Sequence, residues 1–300
     1  MTSPYLPMLL TLTASMPHTP NWLYEVKYDG YRAILNWNGH QLLLTSRNGH
    51  SFDQKFEFLT HSLTTLFQQA NIPSCILDGE ICVIENRYLA NFEALHTGEK
   101  KNLSFMAFDL LELNHKVFLT TPLQERKTRL KQVIDNLPSS KKIYYVEAYS
   151  EADILWERII SNNGEGMICK KTDSMYTPAK RSKQWLKLKN WKIAYVFLHA
   201  FDQGNGYFHV AINRDGEIYE VGTFSHGIRS EERSVLIEVI KRNQISEKSG
   251  VAYVKPGIVL ALKYIDLYKE KLRQPRFGQF CFEKSWEDCT WENIQSQWTT

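Results

Sequence analysis

Between residues 22 and 46 the chain alternates apolar and polar positions in short β-favouring runs, and Asn38-Gly39 separates RAILNW from HQLLLTS. An Asn-Gly pair in that setting predicts a tight type I′ hairpin, so the fold is expected to open with antiparallel strands. Phe52, Phe56, Leu59, Leu63 and Phe67 recur at steps of three and four, which gives a helix one apolar face. Strands are predicted in CILDGEICVI, ending near Ile84, and in LSFMAFDLLEL at 103–113. Pro122 opens a helix carrying Leu123, Lys127, Leu130, Ile134 and Leu137 down one side. Ser150 begins S-E-A-D, a capping-box pattern, for a helix that Gly164 ends.

Past Lys192 the texture changes to short strands with turn signals at Gly204-Asn205-Gly206 and Asp215-Gly216 and one helix over about 230–243. A stretch of this size and pattern suits a small β-barrel. The boundary is expected near Asn190, giving domains 1–190 and 191–300. A chain of 300 residues with 43% hydrophobic and 23% charged content is long enough for two cores. Net charge of +3 and a pI near 8.4 barely favour a nucleic-acid partner, so the distribution of charge matters more than its total. Five cysteines, Cys75, Cys82, Cys169, Cys281 and Cys289, form no CxxC pair and suggest neither a zinc site nor a disulfide framework, which fits a reducing cytosol. The opening MTSPYLPMLLTL has no Lys or Arg before its short apolar run and Pro7 interrupts it, so it does not read as a signal peptide. No apolar stretch approaches the roughly 20 residues that span a bilayer, and no membrane association is expected.

Chemistry concentrates in two places. E-V-K-Y-D-G-Y-R, residues 25–32, puts a lysine on a strand before an Asp-Gly turn, with Arg32 returning toward it. Lysine attacks phosphorus only when neutral, so it needs cations or desolvation nearby, and Arg32 is one candidate for such a neighbour. The plainer alternative is a surface lysine ahead of a turn. Residues 170–192 hold eight Lys or Arg against one acid, Asp173. In W-L-K-L-K the strand period sets Lys187 and Lys189 on the face opposite Leu186 and Leu188, as a triphosphate would require. A solvated basic edge strand is the competing explanation.

Together these segments resemble the ligase module of the bacterial non-homologous end-joining DNA ligases, in the covalent nucleotidyltransferase superfamily. K-Y-D-G-Y-R (27–32), S-R-N-G (46–49), L-D-G-E (77–80), F-D-L-L (108–111), E-G-M-I-C-K (165–170), W-L-K-L-K (185–189) and L-R-Q-P-R-F (272–277) follow that family's order. The resemblance implies an α+β fold: a nucleotidyltransferase domain, ATP-grasp-like, of antiparallel sheets with flanking helices, then an OB-fold β-barrel joined by a flexible hinge. It implies an ATP-dependent DNA ligase in which Lys27 becomes covalently adenylated.

Arg32 and Arg47 would then meet phosphate or ribose oxygens, Phe108 would stack on adenine, and Glu25 would lie near the adenine edge or the lysine. Glu80 and Glu165 would stand near Mg²⁺ or Mn²⁺, and Lys170, Lys187 and Lys189 near the triphosphate. Arg181 and Lys183 are assigned to DNA phosphates, and Arg273 and Arg276 to pyrophosphate. Gln279 stands where many relatives carry a further basic residue, which weakens that last motif. The partners implied are nicked or broken double-stranded DNA, Ku and a repair polymerase, for a monomer in the bacterial cytoplasm near the nucleoid. An RNA ligase, a GTP-using capping-type enzyme and a non-catalytic nucleic-acid binder are the rival readings.

Overall fold

The structure, a computed structural model, describes residues 4–298. The first three residues, part of the N-terminal run considered above, and the last two of the second expected domain lie outside them. The chain divides into two compact units, one up to Asn190 and one from Trp191 onward.

The first unit has two sheets. Trp22–Val26, Gly166–Lys171, Arg181–Lys189 and Leu9–Leu12 lie side by side in a four-stranded sheet, antiparallel except for the last pair. A seven-stranded sheet runs Leu42–Ser46, Tyr31–Trp37, Cys75–Asn86, Leu103–Leu113, Lys116–Val117, with Leu89–Ala90 and Ile143–Tyr145 added at its sides. Strand alternation explains how each is covered. Ala33, Leu35 and Trp37 join Leu59, Leu63 and Phe67 of the helix Glu57–Gln69 in one core, whereas Ile34 points the other way. There Ile34 meets Trp185 of the four-stranded sheet and Met8 just ahead of it, so the sheets share a core. The other face of the four-stranded sheet, with Tyr24, Met167 and Leu188, packs on Leu155 and Ile159 of the helix Ala152–Ser161.

Several local expectations are corrected. The connection after Trp37 is four residues, since Trp37 pairs with Leu42, and is not a type I′ turn. Asn38 Oδ1 accepts the amides of His40 and Gln41 at 2.9 and 2.8 Å, and Gly39 alone of these residues takes a positive φ, +98°. A two-residue turn with both φ values positive does occur at Asp215-Gly216, between Arg214 and Glu217. Phe52 and Phe56 precede the helix and build a ring cluster with Tyr31. Ser150 caps nothing: Tyr149 is tied to Tyr24 by two backbone hydrogen bonds, which leaves Glu151 as the first flanking residue of Ala152–Ser161. That helix ends at Ser161, and Asn163, at φ +56°, takes the left-handed position ahead of Gly164. In the helix Leu123–Asp135 the buried stripe includes Arg126 and Lys127 as well as Leu123, Leu130 and Val133, while Leu137 falls beyond its end.

The second unit curls around one long strand, Lys192–Asp202. Its first half pairs with Val259–Tyr264, its end with Val251–Val254, and its other edge with Phe208–Arg214. Glu217–Phe224, Gln244–Lys248 and Arg276–Phe280 complete the seven strands. Leu236 and Ile240 of the helix Ser230–Asn243 enter its core. This is the OB-type β-barrel of an α+β protein. The five cysteines are all buried and free, and no helix among the described residues is long and apolar enough to cross a membrane.

Candidate nucleotide site

In the first unit an open cavity lies between the two sheets, walled by Glu25, Lys27, Arg32, Glu80, Phe108, Lys170 and Trp185 among others. Residues 27–30 carry the chain from one sheet to the other, and two glycines make that crossing possible. A Cβ on Gly30 would lie 2.2 Å from the Ile81 carbonyl oxygen, and one on Gly166, at φ +151°, 2.2 Å from that of Leu188. The Asp-Gly and Glu-Gly pairs thus let three backbones converge around one lysine.

Lys27 donates its amide to Gly166 O at 2.9 Å and its Nζ to Glu165 Oε2 at 2.5 Å. The Glu165 backbone is held in turn by the Asn190 amide, at 2.9 Å. Burial pushes the Lys27 ammonium down, but Glu165, Glu80 and Asp29 together outweigh it, and the net shift is upward. This corrects the role given to Arg32. Its guanidinium is committed to Asp78 through two hydrogen bonds, at 3.0 and 2.6 Å, and Asp78 also accepts from Tyr176 at 2.6 Å. Arg32 stands 5.1 Å from the Phe108 ring centre as part of the cavity wall.

The cations that face Lys27 come instead from the strand Arg181–Lys189. Its alternation sends Leu186 and Leu188 into the helix-covered core and leaves Lys187 and Lys189 on the other side, paired in register with Ile168 and Gly166. Lys189 is pushed down to about 8, chiefly by burial, with Glu165 opposing and Lys27 and Lys187 adding to it. Lys187 is lowered by burial and then by Lys27, with Arg181 and Arg47 contributing. Arg47, exposed in the turn that Ser46 and His50 close at 2.7 Å, is therefore within electrostatic reach of this group. Arg181 donates to Leu10 O, and Lys183 is exposed.

Carboxylates gather at the same end. Burial raises Glu80 to about 8, with Lys27 and Arg32 pulling down and Glu165 and Asp29 pushing up. Among the described residues no three His, Cys, Asp or Glu side chains are grouped closely enough to hold a metal alone. Glu80 and Glu165 nevertheless form an all-oxygen donor pair, the kind suited to an ion that completes its shell with water and phosphate oxygens. At the cavity's other end Glu25, 2% exposed, lies between Lys170 Nζ at 2.6 Å and Lys127 Nζ at 2.7 Å. Lys170 sits 4.5 Å from the Phe108 ring centre and 4.2 Å from that of Trp185.

Sequence reasoning missed Asp78 and Tyr176, which hold Arg32, and Asp109, which pairs with the fully buried Arg126 through two hydrogen bonds of 2.8 Å. It also passed over Lys127, although a lysine on an apolar stripe was visible. Arg273 and Arg276 belong to the second unit. There Arg273 pairs with Asp266 at 3.4 Å, Arg276 lies opposite Lys263, and Gln279 is exposed opposite Ala261.

The sequence model of a family described as ATP dependent DNA ligase domain matches residues 7–189. The Bifunctional non-homologous end joining protein LigD of Bacillus subtilis is 35% identical over 94% of this chain and 50% of its own length. The Multifunctional non-homologous end joining protein LigD of Mycolicibacterium smegmatis is 24% identical, over 96% and 40%. The chain thus spans about half the length or less of these curated relatives. In fold it is similar to the ligase domain from M. tuberculosis LigD, with a TM-score of 0.59, 23% identity and coverage of 95% of this chain and 98% of that one. A mycobacterial DNA ligase D structure complexed with ATP and MES gives the same identity and TM-score.

Proposed function

From the premise that this chain belongs to the ATP-dependent DNA ligase domain family, we propose that it seals 5′-phosphate/3′-hydroxyl breaks in DNA through a covalent Lys27–AMP intermediate. The observation that carries this is a cavity with an aromatic wall and, opening into it, a half-buried lysine paired with Glu165, on the sheet that also presents the Lys187 and Lys189 face.

In the first step Lys27 Nζ forms a bond to the α-phosphorus of ATP as the P–O bond to pyrophosphate breaks. The amine must first lose a proton, and Glu165 Oε2, at 2.5 Å, is the base in contact with it. Lys187 and Lys189 face the charge that grows on the leaving pyrophosphate. Phe108 presents its ring to adenine and Glu25 stands at the base edge. Lys170 serves the nucleotide from the same face, and Arg32 walls it through Asp78. Glu80 and Glu165 are the oxygens that would hold Mg²⁺ or Mn²⁺, which when bound neutralises phosphate charge. In the second and third steps AMP passes to the 5′-phosphate and the 3′-hydroxyl displaces it.

Arg47 is assigned to phosphate or ribose oxygens of the nucleotide, and Arg181 and Lys183 to DNA phosphates. Arg273 and Arg276 would reach pyrophosphate if the second unit closes on the first. The names of the relatives support a place in non-homologous end joining; broken duplex DNA as substrate, Ku and a repair polymerase as partners, and a monomer in the bacterial nucleoid region complete the proposal. The test is labelling with ATP against GTP, followed by sealing of nicked DNA against nicked RNA. Transfer from ATP and sealing of DNA are expected. Labelling by GTP, or sealing of RNA alone, would overturn the assignment.

A further inference from the structure

We propose that Lys127 is a positioning residue for nucleotide use, acting through Glu25. The inference rests on the reading of this cavity as an ATP site. Lys127 is 4% exposed and does not line the cavity, whereas Glu25 does. Around its Nζ stand Glu25 Oε1 at 2.7 Å, Val146 O accepting at 2.6 Å, and the Tyr145 ring with its centre 4.2 Å away. Enclosed by these neighbours behind the cavity wall, the ammonium does not reach a ligand in the cavity. A cation placed this deep is costly unless paired, so the pairing has a use or is a liability.

Lys170 shares Glu25 and is as deeply buried, but its place differs. It lines the cavity, faces the rings of Phe108 and Trp185, and its Nζ meets no partner in hydrogen-bond geometry although it is buried. Glu25 Oε1 likewise meets none, and is held to Lys127 as an ion pair at 2.7 Å. One carboxylate is therefore divided between a fixed cation behind the cavity and an adaptable one inside it. Burial lowers Lys170, while at Lys127 the pull of Glu25 outweighs burial and holds the charge on. With Lys127 in place, Glu25 keeps its orientation when Lys170 turns to a bound nucleotide. Without it the carboxylate has one cation left, and the two cavity groups close on each other.

The experiment measures label transfer from α-labelled ATP across ATP concentrations for the full chain, K127M, K127R, E25Q and E25Q/K127M, with melting curves alongside. K127M is expected to raise the KM for ATP about tenfold with kcat nearly kept, and K127R to recover most of the loss. In the E25Q background K127M should add nothing, because the two residues act as one unit. That double variant removes Lys127 together with the Glu25 charge and leaves Lys170 without its carboxylate, as E25Q alone does, so comparing the two decides the matter even if K127M fails to fold. An unchanged KM in K127M, or a further rise in KM from E25Q to E25Q/K127M, would overturn the role. Failure of the wild-type chain to take label would instead strike the ATP reading itself.

Discussion

At one end of the cavity Glu25 lies between Lys127 and Lys170, and Arg32 is clasped by Asp78, so the charges there are paired within the protein. Beside the other end Lys27 pairs with Glu165 at 2.5 Å, and on the neighbouring strand Lys187 and Lys189 are each depressed by burial and by nearby cations, Lys27 among them. Both ends rest on the same strands, Trp22–Val26, Gly166–Lys171 and Arg181–Lys189. The difference separates two tasks. Ion pairs made inside the protein fix a shape, as recognition of a base requires. Cations held under mutual repulsion gain from the arrival of an anion, as transfer of a phosphoryl group requires.

The comparison breaks first at Lys27. Lys27→Ala should abolish adenylation and the sealing of ordinary 5′-phosphate nicks, while a pre-adenylated nick retains part of its sealing, since that last step no longer uses the lysine as nucleophile. Gel-based sealing of the two substrates side by side checks it. Removing everything after residue 192 comes next. The remaining unit, which has its own core, should stay folded but lose most adenylation from ATP, and its DNA binding, measured at two salt concentrations, should weaken. Full adenylation by that fragment would refute the role given to Arg273 and Arg276.

Smaller effects sharpen the contrast between the ends. Lys189→Ala or Lys187→Ala should slow label transfer at saturating ATP by about 10²-fold, with less change in KM. Phe108→Ala should instead weaken ATP use, on the order of 1–3 kcal/mol, and Phe108→Tyr less. A lowered melting temperature with unchanged ATP affinity would return Phe108 to the core.

Much of the arrangement was legible because strand period is a strong signal. The alternation in W-L-K-L-K alone set Lys187 and Lys189 opposite Leu186 and Leu188, and the structure has them so. Apolar steps gave Leu59, Leu63 and Phe67 their helix. What escaped depends on contacts between distant segments. Nothing local in L-D-G-E says that Asp78 will hold Arg32, 46 positions away, or that Tyr176 will join it from 98 positions on. The same holds for Asp109 and Arg126, whose pairing looks from sequence like two surface charges. The turn after Trp37 was misjudged for a subtler reason, since the Asn38 side chain can close a turn on backbone amides without entering the left-handed region.

The account turns on the claim that Lys27 is the atom-bearing nucleophile, and peptide mapping by mass spectrometry after incubation with ATP and Mg²⁺ tests it most directly. The account predicts an acid-labile AMP adduct on the peptide that contains Lys27 and on no other. An adduct on a different lysine, or label that persists in the Lys27→Ala chain, would contradict it.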